Sequence, residues 1–342
     1  MVNSKFDSAE QVKTGKPSCT IGIPNFTGKS DLTAPAAGTV VGLTERLEWM
    51  NVLVTGAGGF VAPHVANAFR NAGHTVRTTD ARPLEADSES ITADFTDSRQ
   101  VDDLMKGIDA VCHLGGVGDV YLALDQPEEA ALANVVGTAN LLRAAKMAEV
   151  SKFVYTSTWE VYGEPEYQPL DEEHRCEPDH PYGITKLAGE RLSLSYDALK
   201  DQPVVALRLG TAFGIGMRPN SVFSIFIDKA QQGEALTVQG SGAQSRQFTH
   251  VSDIASAFLS AVESDVRGEV FNIVAEESIS IRQLAELIAE VIPTPIEQVP
   301  ARTGDVASAI VSSKKAENLL NWRAVMDFRS GLRELIRHRL DS

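Results

Sequence analysis

The sequence predicts an α/β fold: a doubly wound parallel sheet carrying a smaller, interleaved C-terminal α/β lobe. Two observations predict it. Short apolar runs alternate with amphipathic segments from Met50 to Leu209, and the glycine-rich turn Gly56-Ala57-Gly58-Gly59 joins the first run to the first helix. Such alternation implies parallel strands joined by right-handed crossovers. In order, Asn51–Val54 reads as a strand, Val61–Asn71 as a helix closed by Gly73, and Thr75–Thr79 as a second strand. Val101–Lys106 is expected to be helical, Ala110–Leu114 a strand, and Glu128–Ala148 one long amphipathic helix. Phe153–Ser157 is the next strand, followed by a helix over Tyr182–Leu199 and a strand over Val204–Leu209. After Phe213, Gly and Pro punctuate shorter elements. Val251–Val262 and Glu269–Ile273 read as a return to the main sheet, and Ile281–Val291 and Leu332–Leu340 as helices. The expected organisation is therefore a flexible extension (1–49), a main domain (50–212, rejoined by 249–273) and a second lobe (213–248 and 274–342).

Composition narrows the partners. Hydrophobic residues make up 43% and charged residues 23% of 342 positions, the balance of an ordinary soluble globular protein. Lys and Arg number 31 against 46 Asp and Glu, a net charge of −15. That field repels nucleic acid and anionic lipid, so an anionic substrate needs local cations to hold it. No run reaches the length of a membrane span, and the N-terminus lacks the apolar core of a signal peptide, so the expected location is cytoplasmic. Cys19, Cys112 and Cys176 are too scattered for a disulfide framework or metal cluster, and the histidines show no metal-ligand spacing. Cys112 and His113 read as core or cofactor-edge residues, and the acidic run over 164–177 as a solvated loop.

The chemistry concentrates at two places. Val54-Thr55-Gly56-Ala57-Gly58-Gly59-Phe60-Val61-Ala62 links strand to helix, with glycine permitting the turn and the helix N-terminus offering donors to a pyrophosphate. Asp80 ends the next strand, where a carboxylate binds ribose hydroxyls and repels a 2′-phosphate. NAD is thereby favoured over NADP, although Arg82 two positions on weakens the preference. This is the signature of a Rossmann domain. Further on, Tyr182 and Lys186 stand four apart on a predicted helix and share a face. An ammonium near a phenol favours the phenolate, turning a group of pKa about 10 into a base usable near neutrality.

With these residues in place, the chain from about Met50 onward resembles the extended short-chain dehydrogenases, in the NAD-dependent epimerase/dehydratase branch acting on nucleotide sugars. The likeness rests on Thr55-Gly56-x-x-Gly59-x-x-Ala62, Asp80, Ala93-Asp94-Phe95, Thr156-Ser157-Thr158 with Val161-Tyr162-Gly163, Tyr182-x-x-x-Lys186, and Arg246-Gln247-Phe248 before Val251-Ser252-Asp253. It implies that Gly56, Gly59, Phe60 and Val61 belong to the pyrophosphate turn, with Ala62 in place of the commoner third glycine. Asp94 and Phe95 would border the adenine, and Leu114 and Gly115 would run beside the cofactor. Tyr182 would be the acid/base, Lys186 would hold the nicotinamide ribose and depress the tyrosine's pKa, and Thr158 would bind the reacting hydroxyl. Arg246 and Arg302 match arginines that grip the diphosphate of the substrate, and a homodimer is implied. Each of these side chains also has a plainer reading, as surface charge or strand-end packing.

The reaction turns on Thr158-Trp159-Glu160. Oxidation of a sugar alcohol to a ketone, then return of the hydride to the opposite face, gives epimerisation. Loss of water or carbon dioxide before the return gives a dehydratase or decarboxylase. In the family, 4-epimerases carry small residues at positions 159 and 160, 4,6-dehydratases read Thr-Asp-Glu, and decarboxylases Thr-Ser-Glu. Trp159 removes the acid of the dehydratases and reads as a packing residue. Glu160 is either a second base or a loop anchor. Thr211, where relatives often have Asn facing the substrate, and Gly118, where some epimerases have Lys, leave the sugar open. The expected function is NAD-dependent 4-epimerisation of a nucleotide-diphosphate sugar, most simply a UDP-sugar. The alternatives are decarboxylation or dehydration through the same ketone, and more remotely a non-catalytic NAD-binding regulator.

Overall fold

The computed structural model describes residues 49–84, 90–300 and 309–341, all within one compact unit, Leu47–Ser342. The expected extension, apart from Trp49, lies outside the described residues. In chain order the strands are β1 (Asn51–Thr55), β2 (Thr75–Asp80), β3 (Ile91–Thr92), β4 (Ala110–His113), β5 (Lys152–Thr158), β6 (Val204–Leu209), β7 (Thr211–Phe213), β8 (Leu236–Gln239), β9 (Ser245–Arg246), β10 (Phe248–His250), β11 (Glu269–Ile273), β12 (Ile279–Ser280) and β13 (Ile296–Val299). The helices are α1 (Ala62–Asn71), α2 (Ser98–Leu104), α3 (Val120–Asp125), α4 (Pro127–Ala131), α5 (Thr138–Met147), α6 (Pro181–Lys200), α7 (Val222–Gln231), α8 (Val251–Glu263), α9 (Ile281–Val291), α10 (Lys314–Leu320) and α11 (Phe328–Asp341).

Seven strands form the central sheet in the order β11-β6-β5-β4-β1-β2-β3, every neighbouring pair parallel. Strand periodicity explains its two buried faces. Val52 and Val54 point to one side, where they meet Val65 and Phe69 of α1 and Ile254 and Phe258 of α8. Leu53 points to the other, against Val101 and Leu104 of α2 and Leu141, Leu142 and Ala145 of α5. The expected return of 251–273 to this sheet is what α8 and β11 do. A third apolar cluster gathers Phe213, Phe223, Phe248, Phe328 and residues of α7, α9 and α11. Around it run three two-stranded pairs, β7–β10, β9–β12 and β8–β13.

Two expectations need correction. The helix predicted over 128–148 is continuous but not regular, because a π-helical segment, Leu132–Gly137, separates α4 from α5. The widened turn lets buried Asn134 reach out: its amide oxygen accepts from Val117 N at 2.9 Å and its nitrogen donates to Thr185 Oγ1 at 3.0 Å. Such bulges recur where a side chain is re-aimed toward a site. The acidic run over 164–177 is not simply solvated. Leu170 and His174 are buried, Leu170 bridges to Val311, and Glu172 Oε1 accepts from Asn272 N at 2.7 Å.

Candidate active site

A cleft of about 900 Å³ opens beyond the carboxyl ends of β1, β4, β5 and β6. Strand order reverses between β4 and β1, and open parallel sheets take ligands at that crevice. Its floor is the glycine turn. Gly56 holds a left-handed φ of 74°, and a Cβ there would lie 2.7 Å from both Cα and N of Gly115. The backbones after β1 and β4 therefore touch, with Gly115 N donating to Thr55 Oγ1 at 3.0 Å. Behind them Thr55 Oγ1 sits 2.8 Å from His113 Nδ1, and His113 Nε2 3.0 Å from Thr138 Oγ1. Burial lowers the His113 pKa to about 3, with Lys186 adding to the effect, so the ring stays neutral.

Gly56, Gly59, Phe60, Val61 and Leu114 all line the cleft. Helix α1 starts there with no side chain capping its first turn, and although His64 N and Val65 N donate to the Val61 carbonyl, the positive end of its dipole favours an anion. Thr156 Oγ1, on the same wall, is buried without a partner among the described residues. A glycine cradle, an uncapped helix start and an orphaned hydroxyl fit a dinucleotide. Gly56→Ala combines a forbidden φ with a backbone clash, and we expect it to weaken NAD binding by roughly tenfold or more, measured by calorimetry on a variant with unchanged circular dichroism.

The Asp80 carboxylate accepts from Gly58 N at 2.9 Å and from Arg82 N and Nε at 3.1 and 3.3 Å. It sits beside the turn, and the largely exposed Arg82 side chain reaches it only through Nε. Asp80, Gly115, Asp94 and Phe95 do not line the cleft. Asp94 Oδ1 accepts from the Thr96 amide and hydroxyl at 2.8 and 2.7 Å, and Phe95 is buried edge-on to His113, ring centroids 5.3 Å apart.

Tyr182 and Lys186 face the same cleft from α6, with Thr158 at the end of β5 and Glu160 in the turn that follows it. Thr158, beside the Tyr182 phenol, favours its ionised form. The expectation that Lys186 depresses the phenol's pKa is not met. Burial, aided by the charge on Glu160, pushes Tyr182 up to about 12, against the pull of Thr158 and Arg218. Lys186 is itself 6% exposed, and burial brings its pKa down to about 7 despite Glu190. Its Nζ lies 4.6 Å from the centre of the Tyr155 ring. A lysine that titrates near 7 folded but at 10.5 unfolded binds fewer protons in the native state across that interval, so its burial penalty is full below pH 7 and fades as pH rises toward 10.5. We expect the unfolding free energy of the wild type, relative to Lys186→Met, to improve from pH 7 to pH 10 in urea titrations of the cofactor-free protein.

Thr211 lines the cleft and also a smaller adjoining pocket that holds Arg246, the two sharing Trp159 as a wall. Trp159 packs on Tyr162, Leu170, Val274 and Val311. Arg302 lies outside the described residues. Three residues of the site escaped the sequence reading. Asn134 joins the Val117 loop to α6 and was signalled only by a polar residue inside an apolar helix face. Arg218 reaches from the 214–221 loop to the Gly118 carbonyl at 2.9 Å and pairs with Asp119, which no local pattern announces. His180 caps α6 directly before Pro181, a legible helix-start signal.

Comparison with known proteins agrees with this geometry. The family model described as the NAD dependent epimerase/dehydratase family matches residues 52–274. A putative UDP-glucose 4-epimerase of Methanocaldococcus jannaschii is 29% identical over 83% of this chain and 97% of its own length. UDP-glucuronic acid decarboxylase 1 of Danio rerio is 30% identical over 84% of this chain and 72% of its own. Among solved structures, MoeE5 in complex with UDP-glucose and NAD superposes with a TM-score of 0.77 at 34% identity, covering 85% of this chain and all of that one, 100%.

Proposed function

This chain belongs to the NAD-dependent epimerase/dehydratase family, and from that premise we propose that it epimerises a UDP-sugar at C4 through a transient 4-keto sugar. NAD, when bound, accepts a hydride from the sugar carbon and gives it back within one turnover. The chain's own residues do the rest. Gly56, Gly59 and the start of α1 hold the pyrophosphate, Asp80 the adenosine ribose, and Lys186 the second ribose. Thr158 orients the reacting hydroxyl while Tyr182 takes its proton and later returns it. Thr211, Arg246 and Arg302 bind the nucleotide diphosphate, as an acidic protein requires.

What carries this reading is that Tyr182, Lys186 and Thr158 all line one cleft floored by the glycine turn. Decarboxylation or dehydration is the second reading, favoured by the Glu160 carboxylate on the cleft wall and by the similarity to the Danio rerio decarboxylase. A screen of UDP-sugars with product analysis by mass spectrometry and NMR tests the choice. A product of unchanged mass and inverted C4 supports epimerisation, and loss of carbon dioxide or water rules it out. The same proposal includes a cytoplasmic homodimer. No helix among the described residues is long and apolar enough to cross a membrane, and exposed Leu132, Val136, Met147, Ile184 and Leu199 stud the helical layer of α5 and α6. Light scattering that returns a monomer's mass removes the dimer.

A further inference from the structure

We propose that His180 and Glu160 form a positioning pair that fixes the Tyr182 phenol for proton transfer and withholds the Glu160 carboxylate from the substrate, favouring oxidation and return at one carbon over elimination. The proposal rests on the epimerase reading above. His180 is the N-cap of α6, its Nδ1 accepting from Gly183 N at 3.2 Å. That bond leaves the ring proton on Nε2, which lies 3.1 Å from Glu160 Oε2. One imidazole thus ties the helix that carries Tyr182 to the turn that carries Thr158 and Glu160. The ring also stacks on Tyr182, centroids 6.0 Å apart and planes inclined by 13°.

The two elements meet at close range. A Cβ on Gly183 would lie 3.0 Å from the Glu160 carbonyl oxygen. Thr158 Oγ1 accepts from Glu160 N at 3.3 Å and Thr158 favours ionisation of the phenol, so both residues of this turn act on Tyr182. Glu160 and Asp179 both favour the charged form of His180 against burial, the Glu160 hydrogen bond most strongly. A carboxylate already holding an imidazole is a poor base for a carbon-bound proton, because abstraction would first cost it that partner.

Variants of the NAD-loaded full chain separate positioning from chemistry. Asn at 180 still caps Gly183 N but is too short for Glu160. We expect H180N and E160A each to lower kcat about 10- to 100-fold with little change in KM, the cost of displacing a reacting group by about 1 Å. E160Q, which still accepts from Nε2, should cost less than about fivefold. The double variant H180N/E160A should be no worse than either single one, since both break one contact. E160Q as damaging as Tyr182→Phe would make Glu160 a proton-transfer group and overturn the proposal, as would H180N at wild-type kcat. Nitrogen-15 NMR of the histidine rings provides a readout independent of turnover. The pair requires the Nε2–H tautomer at neutral pH and a titration midpoint that falls in E160Q. An Nδ1–H tautomer or an unmoved midpoint overturns it, even if no UDP-sugar is turned over, a failure that would count against the epimerase reading alone.

Discussion

Tyr182→Phe is expected to lower kcat about a thousandfold, the scale of losing a positioned acid/base, while NAD affinity stays within about twofold because only one hydroxyl is lost. The substitution is clean for structural reasons. Phenylalanine keeps the ring that stacks on His180 and fills the same volume, so α6 and its cap persist. The one group removed is the phenolic oxygen, and neighbouring Thr158 keeps the Glu160 amide. The phenol is a weak acid in this state, pushed up to about 12 by burial and by Glu160. The oxygen's value is therefore its place beside Thr158, not a ready-made charge. Coupled assay of C4 inversion and calorimetric titration of NAD check both halves. Wild-type turnover by the variant removes Tyr182 from the mechanism.

Much of this site was legible because its chemistry is local in sequence. The Gly56–Ala62 turn, Asp80 at the end of β2, and the Tyr182/Lys186 spacing each follow from a strand end or one helical turn. The apolar run Val52-Leu53-Val54 predicted a strand, and the structure buries it on both faces. What escaped depends on contacts between distant segments. Arg218 meets Gly118 one hundred residues away, and Glu172 meets the backbone of Asn272 across the same span, so an acidic run that composition assigns to solvent is pinned to the core. The π segment at Asn134 has no propensity signal, since it exists to serve Val117 and Thr185. Asp94 was legible as a motif but not in its geometry. Its carboxylate closes a turn onto Thr96, a bond that residue spacing alone does not distinguish from one to a ligand. The Tyr182 pKa ran against expectation for a related reason: helical spacing predicted a lysine on its face but not that burial would lower the lysine's own pKa.

Glu190→Ala is expected to destabilise the protein by about 3–5 kcal/mol, the cost of stranding one partner of a buried ion pair. Against a typical stability of about 5–15 kcal/mol, that is enough to threaten folding at physiological temperature. Glu190 has no exposed surface and Arg208 only 2%. Arg208 Nε and Nη2 donate to the two Glu190 oxygens at 3.0 and 2.7 Å, and Ser157 Oγ donates to Oε2 at 2.6 Å. Burial works against the arginine's charge, but the bonded Glu190 carboxylate carries its pKa up overall. The guanidinium lies 4.7 Å from the Tyr162 ring centre, while its Nη1 has no partner among the described residues. The pair already leaves one donor unpaid, so removing the carboxylate leaves the whole cation buried without compensation. Replacing both partners, Glu190→Leu with Arg208→Met, should recover most of the loss, read as the urea midpoint. The pair also bears on the chemistry. Glu190 stands one helical turn beyond Lys186 and is the charge that opposes the lysine's desolvation. In the double replacement Lys186 should therefore titrate lower than in the wild type, with activity falling although the fold is restored. Recovery of stability together with full wild-type activity would show that Lys186 acts without that support.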